Sequence, residues 1–233
     1  MGQHIYDLEK LNIISKLPGC PANQVRTVFQ NSLQHLKRNK IYGYLIHDFA
    51  AFTRDPHLFE EIYQLQQEGF IQKIGFSLYF PEQFEELVRL NLPLQLVQIP
   101  FNVFDQRFTY LFPLMAARGI EVHIRSVFLQ GLVFKNIPDL PAYFTPFRQN
   151  LKSLKQLAHQ YEVALPHLML GFAHLQSGVS KIVIGVTTLD DLIFNNEYVA
   201  YLDEVKPLLK TLQEMACPDE RFILPFNWQL NNE

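Results

Sequence analysis

Two short apolar segments of this chain each end on a lone ionisable side chain. Ile13-Ile14-Ser15-Lys16-Leu17 carries Lys16, and Tyr44-Leu45-Ile46-His47, one repeat further on, carries His47. Apolar runs of that length, rich in β-branched residues, read as buried strands. Polar groups closing two successive strands of this kind lie at the C-terminal rim of a parallel sheet, where α/β barrels do their chemistry. Each residue also has a plainer reading: Lys16 could be a strand-end lysine snorkelling to solvent, and His47 a core histidine satisfied by hydrogen bonds.

The elements that must position these groups alternate along the chain. Strand patterns are expected over 11–17, 41–47, 73–80, 94–101, 120–127 and 180–186. Helical patterns fall between them, over 22–38, 56–69, 81–91, 105–118, 147–176 with a break near Pro166, and 189–215. A Pro-containing loop spans 129–146, and the tail from Cys217, with the only Trp, is expected to pack across the outside. Alternating β and α with near-continuously apolar strands implies a parallel sheet covered by helices. No glycine-rich fingerprint follows the first strand, which disfavours a dinucleotide-binding doubly wound sheet. The expectation is a parallel (β/α) TIM-type barrel that is incomplete, since the six βα units counted are two short of the usual eight.

Length and composition agree. At 233 residues the chain suits a single domain over 1–233, and 48% hydrophobic residues supply a large core. A net charge of −3 asks for no nucleic-acid or anionic-membrane partner. Cys20 and Cys217 lie far apart without metal-ligand spacing and read as reduced thiols of a cytoplasmic protein. No secretory leader pattern stands at the N-terminus, and no apolar run is long enough to span a membrane.

Further segments carry a resemblance. Ser32-Leu33-Gln34-His35-Leu36, Lys73-Ile74-Gly75-Phe76-Ser77 and Gln98-Ile99-Pro100-Phe101-Asn102 follow the two opening strands. Arg118-Gly119-Ile120-Glu121-Val122, Ser126 with Gly131-Leu132, Ile182 to Thr188 running on to Asn195, and Phe226-Asn227-Trp228 complete the series. Motif by motif and in order, the chain resembles the aldo-keto reductase family. That resemblance implies an eight-stranded α/β barrel transferring a hydride between a nicotinamide cofactor and a carbonyl carbon. It also implies a catalytic group of Asp, Tyr, Lys and His, in which the Tyr protonates the carbonyl oxygen, the Lys–Asp pair tunes the Tyr and the His orients the substrate. Lys16 and His47 match the Lys and His. The Asp and Tyr belong before a Leu-Gly pair that Met1-Gly2 echoes, so an N-terminally short member is expected, and the units it lacks are those missing from the strand count. Tyr6 lies past that echo and is a weak replacement donor.

On the cofactor side, the resemblance gives Ser77 and Gln98 as holders of the nicotinamide carboxamide. Leu78 stands where many relatives place a second amide. Arg125 takes the place of an aromatic that stacks on the nicotinamide; a guanidinium can stack too, or pair with a phosphate or an acidic substrate. Ser126, with Phe128 and Gln130, opens the loop expected along the pyrophosphate. Gly185 precedes Thr187 and Thr188, which begin a helix where amides and hydroxyls suit a phosphate or simply form an N-cap. Asp48 contacts substrate or, the favoured reading, caps the next segment. Asn195 matches an adenine contact. Asp190-Asp191 replaces the family's Arg for a 2′-phosphate, which favours NAD slightly over NADP.

Two functions follow. One is an NAD(P)H-dependent oxidoreductase interconverting a small aldehyde, ketone or sugar-like carbonyl and its alcohol. The alternative is a catalytically inactive truncated relative acting as a nucleotide-binding or interaction scaffold. In it the open edge of the first strand invites homodimer formation.

Overall fold

A computed structural model of the chain describes residues 11–228. Six strands, β1 (Ile14–Leu17), β2 (Ile41–Ile46), β3 (Ile71–Ser77), β4 (Leu96–Pro100), β5 (Glu121–Arg125) and β6 (Lys181–Ile182), join in the order β1-β2-β3-β4-β5-β6. Pairs β1–β2, β2–β3, β3–β4 and β5–β6 are parallel. Helices stand between them: α1 (Val25–Leu36), α2 (Phe49–Arg54), α3 (His57–Gln67), α4 (Pro81–Arg89), α5 (Phe112–Ala117), α6 (Arg148–Gln160) and α7 (Leu165–His174), with α8 (Leu189–Asn196) after β6. This is the parallel βα alternation of the expected barrel-type fold. The described residues group into two units, one within Met1–Ile99 and Leu114–Val122, the other within Pro100–Pro113 and His123–Glu233. The division runs through β4, α5 and β5.

In the first unit α1 buries Val25, Phe29 and Leu33, one residue per turn on a single face. It ends where Lys37 turns left-handed at φ 53°, and the Arg38 amide bonds back to the Leu33 carbonyl at 3.0 Å. The helix expected over 56–69 forms as α3, and a further short helix, α2, precedes it. Asp48 Oδ1 accepts from the Ala51 amide at 3.1 Å and so starts α2 before Pro56 opens α3. The capping role favoured for Asp48 is therefore the one observed. In α4, Pro81 occupies the first position, and Gln83 Oε1 accepts from the Tyr79 and Phe80 amides at 2.9 and 3.1 Å. The sheet face toward the helices is aromatic: Tyr44 meets Phe29 edge-on at 5.0 Å, and Phe76 stacks on Phe59 at 5.8 Å.

The second unit is held by a chain of rings. Phe101 stacks on Phe172 at 5.7 Å, and Phe147 on Phe222 at 5.3 Å, while Trp228 meets Phe144 edge-on at 5.1 Å. The tail thus packs through Phe222 and Trp228. A continuous helix over 105–118 does not form. Asp105 is fully buried and its carboxylate holds Arg107 Nε and Nη2 at 2.9 and 3.0 Å, which fixes a turn there instead. The helix expected over 189–215 is likewise broken into short α and 3-10 pieces. The last strand is shorter than the expected 180–186. Its partner β5 stops at Arg125 because Ser126 turns to φ 62°, so pairing ends with the Val183 amide on the Ile124 carbonyl at 2.8 Å.

A methyl group on Gly75 would collide with the Leu96 carbonyl oxygen of the neighbouring strand. Gly75→Ala must push β3 and β4 apart, and we expect it to lower stability by about 3 kcal/mol in urea unfolding. At the N-terminal end of the sheet Lys73 is bonded to Glu121, whose carboxylate also accepts from Tyr42 Oη at 2.6 Å. The Glu121 bond, and then Tyr42, raise the Lys73 pKa above its ordinary 10.5. A raised lysine stabilises the fold fully below the unfolded value and loses that contribution as pH climbs through the folded one. The melting temperature should therefore fall as pH passes 10.5, and Lys73→Met should remove that part of the fall.

Candidate functional site

In parallel sheets, residues in register point their side chains to the same face, and neighbours along a strand alternate. Lys16 is in register with Leu45, Leu45 with Gly75, and Gly75 with Leu96. Tyr44 and Phe76 face the helices, so this row faces the other way. A Cβ on Gly43 would come within 2.8 Å of Leu96 Cδ2 and 2.9 Å of Ile14 Cγ1, so aliphatic side chains fill that face at its N-terminal level.

One step toward the C-terminal rim the same face turns polar. Ser77 and Gln98 are in register there. His47 follows Ile46, the partner of Phe76, and so stands level with Ser77. Its amide donates to the Leu17 carbonyl at 3.0 Å, which keeps β2 against β1 one residue past the strand. Lys16 and His47 thus share a face at the same end of adjacent strands, beside Ser77 and Gln98. Ser77 is 1% exposed and its Oγ has no hydrogen-bond partner, while Gln98 is 7% exposed. A buried hydroxyl of this kind costs roughly 1–3 kcal/mol unless a partner arrives. It fits a group that brings both a donor and an acceptor, as a carboxamide does.

Neither tyrosine of β2 belongs to this cluster. Tyr42 Oη is bonded to Glu121, and the Tyr44 ring lies on the helix side, where burial pushes its phenol up to about 12. Tyr6 lies outside the described residues.

In the second unit Arg125 closes β5 and donates from Nη1 to Ser126 Oγ at 3.3 Å. Ser126 and Gly185, far apart in sequence, line one cavity of about 420 Å³ together with Phe128, Gln130, Gly131 and Val183. Asn195 lines a different cavity, about 580 Å³, with Lys181, His174 and Tyr198. Thr187 and Thr188 are engaged within the chain. Thr187 Oγ1 and the Thr188 amide donate to Asp191 Oδ2 at 2.7 and 3.1 Å, and the Asp191 amide donates back to Thr188 Oγ1 at 3.0 Å. This is a capping box. The same bonds hold the Asp191 carboxyl below its ordinary range. Of the two readings for this pair, the cap is the one formed, with a carboxylate already at the helix start. His167 lies between the rings of Phe194 and Tyr201, at 4.5 and 4.8 Å.

Asn102 closes the Gln98-Ile99-Pro100-Phe101-Asn102 segment. The structure buries it to 1% exposure and bonds its Nδ2 to the Ser126 carbonyl at 3.0 Å. The signal available was its type, since a buried asparagine after a strand fastens turns. Among the described residues no cluster of His, Cys, Asp or Glu could hold a metal ion, and no helix is long and apolar enough to cross a membrane.

Comparison with known proteins follows the same outline. The sequence model of the Aldo/keto reductase family matches residues 3–206. An uncharacterized oxidoreductase of Schizosaccharomyces pombe is 34% identical over 177 residues, which take in 75% of this chain and 58% of that protein. The chain thus spans less than two thirds of the length of that curated relative. Among solved structures, the holo form of an aldo-keto reductase from Bacillus halodurans superposes with a TM-score of 0.72 at 20% identity, over 91% of this chain and 74% of that one. Its apo form gives 0.69 at 19%, over 88% and 71%. A thermostable aldo-keto reductase in complex with the inhibitor epalrestat gives 0.69 at 17%, over 91% and 73%. These likenesses speak for the fold, and the matched residues 3–206 for descent: the chain belongs to the aldo/keto reductase family.

Proposed function

We propose that the protein is a nicotinamide-dependent oxidoreductase that interconverts a small aldehyde or ketone and its alcohol. The observation that carries this reading is the shared face of Lys16 on β1 and His47 just past β2, with His47 level with the buried, unpartnered Ser77 hydroxyl and Lys16 one row below. Ser77 and Gln98 would hold the carboxamide of the nicotinamide, which when bound supplies the hydride. The Lys16 ammonium would favour the anion of an adjacent phenol, and the His47 imidazole would orient the carbonyl oxygen. Ser126 and Gly185 would flank the pyrophosphate in the 420 Å³ cavity, with Arg125 beside Ser126 as a stacking or anion-pairing group and Asn195 toward the adenine. Thr187 and Thr188 stay with the cap, since a phosphate there would have to displace the Asp191 carboxylate. Asp190, exposed in the first turn of α8, favours a free 2′-hydroxyl over a 2′-phosphate, hence NAD over NADP.

A second reading, a nucleotide-binding scaffold without turnover, is favoured by the placement of Tyr42 and Tyr44 away from Lys16. In either reading we take the protein as cytoplasmic, in keeping with the free thiols Cys20 and Cys217, and the β1 edge as a surface for pairing with a second copy.

Fluorescence titration with NADH and NADPH decides whether a cofactor binds at all. Quenching by neither at millimolar concentration would rule out both readings. We expect NADH to bind more tightly, and Asp190→Asn to narrow the difference. If turnover is present, Lys16→Met should lower kcat by more than about 100-fold, whereas His47→Ala should mainly change which carbonyl is preferred. Full activity in Lys16→Met would remove the assigned chemistry. Binding without turnover selects the scaffold.

A further inference from the structure

The loop after β5 has an improbable backbone. Ser126, Leu129, Gln130 and Gly131 all have positive φ, at 62°, 47°, 49° and 81°. The Gly131 amide closes on the Phe128 carbonyl at 2.8 Å, so Leu129 and Gln130 are the two centres of a mirror-image turn that normally takes asparagine and glycine. Leucine and glutamine enter that region only at an energetic cost, and such strain persists where the surroundings over-determine it. Two attachments do so. The Leu129 side chain is fully buried. The Ser126 carbonyl receives two donors, the Leu129 amide at 2.9 Å and Asn102 Nδ2 at 3.0 Å.

Asn102 is built for this task. Its Oδ1 accepts from the Phe104 and Asp105 amides at 2.8 and 3.0 Å, and its own amide donates to the Asp105 carbonyl at 3.0 Å. The carboxamide is thereby fixed by the loop after β4, with one of its two Nδ2–H donors aimed at Ser126. We propose that Asn102 is a positioning residue. By gripping the Ser126 carbonyl it holds the 126–131 backbone in the shape that walls the 420 Å³ cavity, where the cofactor reading puts the pyrophosphate. The Leu129 and Gly131 amides are spent within the loop, so what it offers a ligand is a fixed wall, and a loop already ordered spares the ligand the cost of ordering it. The inference rests on the cofactor reading above but concerns the shape of the loop itself.

Asn102→Asp keeps the oxygen that accepts from Phe104 and Asp105 and deletes the donor to Ser126. We expect hydrogen exchange at amides 127–131 to quicken at least about tenfold while exchange in α1 is unchanged, and NADH affinity to fall by roughly tenfold. Adding Ser126→Gly, which takes a positive φ without strain, should return exchange toward the wild-type rate. Unchanged loop exchange, or faster exchange with unchanged NADH affinity, overturns the proposal. If the wild-type chain fails to bind NADH, the cofactor reading falls, and the exchange result alone decides whether Asn102 holds the loop. Should Asn102→Asp not fold, the Asn102 carboxamide protons of the wild-type chain remain to be measured by NMR. Slowed exchange supports the grip, and exchange at the solvent rate overturns it.

Discussion

Everything proposed for the first unit depends on strand register. Side chains along a strand alternate with a period of two, so slipping β2 by one residue against β1 would send His47 to the helix side and bring Tyr44 to the other. The pairing of Lys16 with Leu45 and of Ser77 with Gln98 is what sets the four polar groups on one face. The slip is resisted by the aromatic face. Tyr44, Ile46 and Phe76 are at most 1% exposed, and exchanging them for the opposite set would put large apolar surface where glycines and polar groups now stand.

That division of labour explains the choice of residues along the inner face. Gly43 leaves room for the Ile14 and Leu96 side chains at the N-terminal level, where the face is closed by packing, and Gly75 for the close approach of the Leu96 backbone. Lys16 shares the row of Leu45 and Gly75, and one step higher the side chains become His47, Ser77 and Gln98. A buried serine hydroxyl without a partner is a poor choice for stability alone, and such groups mark places where a fold is completed by something it binds.

The second unit uses different means to similar ends. Its loop after β5 stores backbone strain, held by Leu129 on one side and Asn102 on the other. Ending β5 at that turn is also what leaves β6 so short. The start of α8 is already satisfied by Asp191, which occupies with a carboxylate the position that a helix N-terminus offers to anions.

The βα order, the parallel sheet and the candidate residues were legible because apolar periodicity and motif spacing are local properties of the chain. Strand ends were less so: the sixth strand stops early for want of a partner, and whether a partner exists is not written in residues 180–186. The Asp105 turn was missed because a side chain that bonds its own backbone can outcompete a helical pattern, and α2 was missed because its start rests on the Asp48 cap rather than on a long apolar period. Thr187 and Thr188 were readable as cap or phosphate site, and only the position of the Asp191 carboxylate separated the two. The sequence by itself determined which chemical groups exist and on which strands they lie. Tertiary structure decided which of them share a face, which are already spent on internal bonds, and which loop is held under strain. Those outcomes depend on register and on contacts between residues distant in the chain, which no local pattern encodes.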